Sequence, residues 1–109
     1  MIVQCDRGFP NTPAVRIPLQ EPFFTLCDPE LFDDFIRFHW YAKKSAGRYY
    51  ACRKVTTETK VFFIRMHRVI AATPVDMVCH HINGNTLDNR RANLLNMTEF
   101  EHAKMFSYR

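Results

Sequence analysis

Two adjacent histidines directly before a turn are the residues of this chain whose types best suit chemistry. His80 and His81 precede Asn83-Gly84-Asn85, and Asn93 and His102 follow. A neutral imidazole can take a proton from water, and an imidazole is also a common ligand of divalent cations. One short stretch therefore supplies a base, a neighbouring cation ligand, an asparagine that can fix the loop, and a second ligand. This combination suits the metal-assisted hydrolysis of a phosphodiester.

Two strands and a helix are predicted to position these residues. Met77–His81 is the first predicted strand, and adjacent strand residues point to opposite faces, so the two histidines must do different jobs. Glycine and asparagine at 83–85 tolerate positive φ and reverse the chain. Leu94–Met97 is the second strand. Thr98 and Glu101 form a capping box that starts a helix at about residue 99. That helix brings the last histidine to the strand ends, where a second ligand must lie.

The sequence that precedes the histidine pair predicts a β-rich region with short helices. Asp28 can cap a helix and Pro29 suits its first turn, and apolar residues follow at near-helical spacing. Runs rich in Tyr, Val and Phe predict strands, with a hairpin loop at 56–60. Residues 1–16 carry Gly8, Pro10 and Pro13 and are predicted to be irregular. The predicted elements are strands at Val15–Leu19, Phe23–Cys27, Arg48–Val55 and Val61–Met66, a helix at about 29–38 and a short helix at His67–Ala72.

Positive charge is concentrated in one segment. The net charge is +4, but residues 43–68 carry eight basic residues against the single acid Glu58. Such a segment favours a polyanionic partner. On the predicted strand, Arg48 and Lys54 share one face with Tyr50, which suits a surface that contacts phosphates. A solvated outer face explains the same pattern.

The stretch from Val78 to His102 resembles the HNH nucleases, and within them the phage and intron-encoded homing endonucleases. Those relatives usually carry aspartate at the position of His80 and often asparagine at that of His102, whereas histidine at both is closer to the colicin-type nuclease toxins. The resemblance extends upstream to about residue 17. Its motifs in this chain are Val78-Cys79-His80-His81-Ile82-Asn83-Gly84-Asn85, Leu87-Asp88-Asn89-Arg90-Arg91 and Asn93-Leu94.

The resemblance implies a role for each candidate residue. His81 is the general base, His80 and His102 hold one divalent cation, and Asn93 ties the loop together without binding metal. Mg²⁺ is the ion that the family's habit implies. Two imidazoles also suit borderline cations such as Zn²⁺, Mn²⁺ or Ni²⁺.

The implied function is that of a metal-dependent DNA endonuclease, encoded by a phage or mobile element and acting in the cytoplasm of a bacterial host. Its partner is double-stranded DNA, and it works as a monomer or as a homodimer. No run approaches the roughly 20 apolar residues of a membrane span, so no membrane partner is expected. The residues predicted to contact DNA are Arg48, Arg53, Lys54, Arg65, Arg90 and Arg91.

Two other classes of protein fit parts of the pattern. An inactive HNH-type DNA-binding module would keep the basic surface and lose the chemistry. A structural zinc domain needs four ligands, and only His80 and His102 are obvious ones. The four cysteines are scattered without a Cys-x-x-Cys pair, which argues against a disulfide framework or a four-cysteine zinc site. His67 is interpreted as a structural histidine near the core, with a role as ligand or base as the alternative.

The sequence as a whole predicts one α+β domain over residues 1–109. Its 47% hydrophobic content suffices for one modest core. Antiparallel hairpins and short helices come first, followed by a C-terminal ββα-metal motif of the HNH type. The predicted parts are an irregular N-terminus at 1–16, a β-rich part at 17–75 that contacts DNA, and a catalytic motif at 76–109.

Overall fold

The computed structural model describes residues 2–4 and 12–107, with side chains for 12–105. The fold is α+β, as the sequence predicts. In the described part, eight strands form three small antiparallel sheets, with three short helices between and after them. The strands are β1 (Ile2–Gln4), β2 (Pro13–Pro18), β3 (Phe24–Cys27), β4 (Tyr41–Ser45), β5 (Arg48–Thr56), β6 (Val61–Arg65), β7 (Met77–His81) and β8 (Leu94–Thr98), and the helices are α1 (Phe32–Phe35), α2 (Met66–Ile70) and α3 (Glu99–Ser107).

The first sheet has the order β1-β2-β3. It corrects the prediction that residues 1–16 are irregular, because β1 and the start of β2 fall within them; residues 1 and 5–11 lie outside the described part. Pro13 is tolerated because it is the first residue of its strand. Val15 and Ile17 lie on the same face of β2 and are buried. Their burial stabilises the strand although glycine and proline precede it.

The predicted helix at 29–38 is shorter than expected. A 3-10 turn covers Pro29–Leu31, and α1 ends at Phe35. A continued helix would use the Phe35 carbonyl to accept from the amide of residue 39. That carbonyl instead accepts from the Trp40 indole at 2.8 Å and from the Phe38 amide at 3.2 Å. Burial of the tryptophan therefore ends the helix.

The second sheet is a meander in the order β4-β5-β6. The predicted hairpin of β5 and β6 is confirmed, and its loop closes through a hydrogen bond from the Thr57 amide to the Lys60 carbonyl. Strand β4 was not predicted. It joins β5 through Ala46 and Gly47, which both have positive φ.

A small apolar core joins the first two sheets to α2. The first sheet contributes β2 and β3 residues, the second sheet contributes Ala51, and α2 contributes Met66. Trp40 enters from the segment before β4. The buried residues of this cluster are Val15, Ile17, Cys27, Trp40, Ala51 and Met66.

The third sheet pairs β7 with β8 in antiparallel register and is followed directly by α3. The predicted strands and helix are confirmed here. So is the capping box, because the Thr98 amide donates to Glu101 Oε1 at 2.8 Å and the Glu101 amide donates to Thr98 Oγ1 at 3.0 Å. Those hydrogen bonds lower the pKa of Glu101. Within the described residues, no helix is both long enough and apolar enough to cross a membrane.

Candidate functional site

A cleft of about 550 Å³ lies where the second sheet, α2, the β7–β8 hairpin and α3 meet. Three arginines and four histidines line it, and no Asp or Glu is among the described residues of its wall. A wall of this composition produces a positive potential and suits an anionic ligand. The charged and histidine side chains of the wall are Arg48, Arg65, Arg68, His67, His80, His81 and His102.

His80 and His102 lie together on one side of the cleft. They come from β7 and α3, and their ring centroids are 5.4 Å apart. Two imidazoles that share one tetrahedral ion at about 2.0–2.1 Å have centroids about 5 Å apart, so this pair fits a divalent cation. Within the described part of the chain, no group of three or more His, Cys, Asp or Glu side chains could hold a metal ion. The pair is therefore not part of a closed protein cage there.

His81 lies deeper than its neighbour, at the end of β7. It is only 5% exposed, and its Nε2 is 2.8 Å from Asn89 Oδ1. Its ring centroid is 4.8 Å from that of His67 and 6.1 Å from that of Tyr50. Burial lowers the pKa of His81, although the Asn89 hydrogen bond and the Asp88 charge act in the opposite direction. The imidazole is therefore neutral at pH 7, as a general base must be.

The turn after His81 depends on Gly84, whose φ of 80° is in the left-handed region that other residues rarely adopt. The Gly84 amide donates to the His81 carbonyl at 3.0 Å and closes the turn. The Arg48 side chain reaches across from β5 and donates to the Gly84 carbonyl at 2.9 Å. The turn that carries the histidine is thus held against the second sheet.

Asn93 ties the two ends of the loop together. Its Oδ1 accepts from the Asn83 amide and its Nδ2 donates to the Asp88 carbonyl, both at 2.8 Å. Its carbonyl accepts from the Ile82 amide, also at 2.8 Å. Asn93 is fully buried. These contacts orient the loop, and they match the orienting role that the HNH resemblance implies.

Arg90 corrects one prediction, because its side chain is not available to DNA. It is fully buried, and its Nε and Nη2 donate to the two carboxylate oxygens of Asp88, each at 2.8 Å. Its Nη1 donates to the Thr12 carbonyl at 2.8 Å. Burial of Asp88 raises its pKa, but the hydrogen bonds and charge of Arg90, together with the hydrogen bond from Asn83, outweigh that effect and leave the pKa lowered. Arg90 is thus a structural residue that links the loop to Thr12, the residue directly before β2.

The other residues predicted to contact DNA lie on the two faces of the second sheet and on the loop before β8. Arg48 and Arg65 line the cleft, and Lys54 shares their face of the second sheet, because strand residues alternate. Arg53 lies on the opposite face, where its guanidinium stacks 4.0 Å from the Phe38 ring centroid. Arg91 is exposed and pairs with a surface glutamate at 3.1 Å. The structure therefore brings only two of the six to the cleft.

Sequence reasoning did not place two residues, Asn89 and His67, beside His81. Asn89 belongs to a quoted motif, but nothing in its type or spacing assigned it to His81. His67 is buried, as predicted, but its ring lies beside His81 in the cleft wall. Burial, with the neighbouring His81, Arg65 and Arg68, lowers the pKa of His67 to about 3. Only the packing of α2 against β5 reveals this neighbour.

Comparisons of this chain with protein-family models, with curated proteins and with solved structures give no match.

Proposed function

We propose that this chain is a metal-dependent DNA endonuclease of the HNH type, which hydrolyses phosphodiester bonds. One observation carries the proposal. A β-hairpin and the helix after it bring His80, His81 and His102 to a single cationic cleft, and Asn93 fixes the loop between them. A buried neutral imidazole beside a pair of imidazoles that fits a cation is the minimum that one-metal hydrolysis requires.

His81 accepts a proton from the attacking water, because its buried ring is neutral at pH 7. His80 and His102 would hold the divalent cation. When bound, such an ion supplies Lewis-acid stabilisation of the charge that develops on the phosphate and on the leaving oxygen. Arg48 and Arg65 bind the phosphates beside the scissile bond, since guanidinium groups pair well with phosphate oxygens.

Mg²⁺ is the proposed working ion, on the strength of the HNH resemblance. The two imidazoles also suit Zn²⁺, Mn²⁺ and Ni²⁺. A metal site with few protein ligands leaves coordination positions for water and for the phosphate of the substrate.

Double-stranded DNA is the proposed substrate, approached along the face of the second sheet that leads into the cleft. Register places Lys54 beside Phe63 and Cys52 beside Arg65 on that face, and Lys43 lies beside Tyr50. Lysine and arginine supply the phosphate contacts on which affinity for DNA mainly depends. A single site cuts one strand at a time, so a monomer is expected to nick.

Incubation with supercoiled plasmid tests the proposal. The expected result is conversion to open circles with Mg²⁺ or Mn²⁺, no conversion with chelator, and ends that carry 5′-phosphate and 3′-hydroxyl. His80→Ala and His102→Ala should each raise the metal concentration needed, whereas His39→Ala, at an exposed histidine outside the cleft wall, should not. Absence of cleavage with every divalent ion, at protein concentrations that bind the plasmid, would refute the activity.

The alternative is an HNH-type module that binds DNA without cutting it. The observation in its favour is that the described residues bring only two side-chain ligands together. The same plasmid experiment separates the two functions, because a binding module retards the plasmid in a gel and leaves it supercoiled.

A further inference from the structure

A chain of three hydrogen bonds runs from His81 into the first sheet. His81 Nε2 lies 2.8 Å from Asn89 Oδ1, and Asn89 Nδ2 donates to Thr25 Oγ1 at 3.0 Å. Thr25 Oγ1 donates to the Leu87 carbonyl at 2.7 Å. Thr25 and Asn89 are both fully buried. Water cannot substitute for any of these partners without a rearrangement of the packing.

The direction of each of these three hydrogen bonds follows from the last acceptor, the Leu87 carbonyl. A carbonyl only accepts, so the Thr25 hydroxyl must donate to Leu87. The hydroxyl oxygen is then an acceptor for Asn89, which must turn its amide NH₂ towards it. The amide oxygen is left facing His81, and an oxygen of this kind only accepts. His81 must therefore carry its proton on Nε2.

We propose that Asn89, oriented by Thr25, is a positioning residue that fixes His81 in the tautomer with its proton on Nε2 and its lone pair on Nδ1. The consequence is that Nδ1 takes the proton from water, and this consequence rests on the proposed function. The opposite tautomer would present a donor to that water and could not act as the base.

The backbone keeps this arrangement in place independently of the side chains. The Asn89 amide donates to the Leu26 carbonyl at 2.8 Å, and the Leu26 amide donates to the Leu87 carbonyl at 2.9 Å. The segment that carries Asn89 is thus anchored to β3 on both sides of Asp88. Thr25, which lies 64 positions from Asn89 in the sequence, thus helps to decide which ring nitrogen of His81 carries the proton. The first sheet is therefore part of the site, although none of its described side chains lines the cleft.

The direct test is the ring tautomer of His81, measured by long-range ¹H–¹⁵N correlation in the histidine-labelled protein at about pH 8, where a histidine is neutral. The wild-type ring should carry its proton on Nε2. Asn89→Asp keeps an acceptor of the same shape facing the ring, and a carboxylate oxygen only accepts, so Nε2 should stay protonated. Asn89→Leu has nearly the same shape without the acceptor and should populate the other tautomer.

Thr25 supplies a second pair of variants with smaller effects on packing. Thr25→Val removes the acceptor for the Asn89 amide, which can then turn and favour a proton on Nδ1 of His81. Thr25→Ser keeps the hydroxyl and should restore the wild-type tautomer. In cleavage assays, Asn89→Leu and Thr25→Val should lower kcat by about 10- to 100-fold with little change in KM, because a misplaced catalytic group costs about that much. Thr25→Ser should recover most of the rate.

The outcomes separate this inference from the proposed nuclease activity. A wild-type proton on Nδ1, or an unchanged tautomer in both Asn89→Leu and Thr25→Val, would overturn the positioning role. If Asn89→Leu does not fold, the Thr25 pair decides. An active enzyme whose kcat is unaffected by a changed tautomer would also overturn it. The expected tautomers in a protein that never cleaves DNA would support the hydrogen-bond assignment and count against the nuclease.

Discussion

Burial separates the roles of the two adjacent histidines. His80 is partly exposed and lies beside His102, so it can take a ligand that arrives from solvent. His81 is buried against Asn89 and His67, which keeps its ring neutral. Two residues of one type therefore suit different chemistry, because His81 is buried in the cleft wall and His80 is partly exposed.

The buried ring of His67 should make the stability of the folded protein depend on pH. Its pKa is about 3 in the folded protein and about 6.5 when unfolded. The folded state binds the proton less readily, so the contribution of His67 to stability is complete above pH 6.5 and is lost as the pH falls towards 3. Replacing it with a ring that does not titrate, in His67→Phe, should make stability less sensitive to pH in that window. The expected reduction is at most about 1.4 kcal/mol per pH unit.

Urea unfolding between pH 7 and pH 4 measures this effect. The charged and titratable groups around the His67 ring are His81 on β7, Tyr50 on β5, Arg65 on β6 and Arg68 on α2. They stay in place in the variant, so comparison of the two pH slopes isolates the contribution of His67. Equal slopes for wild type and variant would contradict the assignment of a buried neutral histidine.

The hairpin of β7 and β8 and the helix α3 could be predicted from the sequence because their signals are local. The capping box needs only Thr98 and Glu101, and β7 needs only its own apolar run. The length of α1 could not be predicted, because the Trp40 indole donates to the Phe35 carbonyl, which a longer helix would use as an acceptor. Nor could the burial of Arg90, whose third hydrogen bond goes to Thr12, 78 positions away. Local patterns do not contain such distant partners.

The loop from β7 to β8 depends on Arg90, whereas its neighbour Arg91 lies on the surface. Arg90→Met leaves the Asp88 carboxylate buried without its cation, which typically costs about 3–5 kcal/mol. Arg91→Met removes an exposed pair and should cost about 0–1 kcal/mol. The two adjacent substitutions remove the same charge, so each is a control for the other.

Chemical denaturation of both variants gives the comparison. A loss in Arg90→Met no larger than that in Arg91→Met would mean that the buried pair does not hold the loop. Affinity for DNA in the folded Arg90→Met protein should equal that of the wild type, since the side chain does not reach the surface.

At the scale of the whole molecule, the second sheet presents a basic face that continues into the cleft. Lys54 and Arg53 are adjacent in sequence but point to opposite sides of β5, and the arginine packs on Phe38 instead of facing the cleft side. The first sheet thus supports the proposed base, the second presents the basic face proposed to meet DNA, and the third carries His80 and His81.

The adjacent basic residues of β5 provide a test of where DNA lies. In a salt titration with chelator present, Lys54→Ala should reduce the slope of log affinity against log salt by about 0.9, the value for one phosphate contact. Arg53→Ala should reduce it less, although it removes the same charge one residue away. Equal effects of the two substitutions would mean that the cleft-side face does not form the DNA track.

The proposed nuclease activity depends most on His81 as the base that activates water. Single-turnover cleavage of plasmid DNA with saturating Mg²⁺ measures it most directly, in the wild type, in His81→Ala and in the control His39→Ala, whose histidine is exposed and outside the cleft wall. His81→Ala should lower the rate by about 10²- to 10⁴-fold, while DNA affinity and the control rate stay unchanged. A His81→Ala protein that cleaves at the wild-type rate would contradict it.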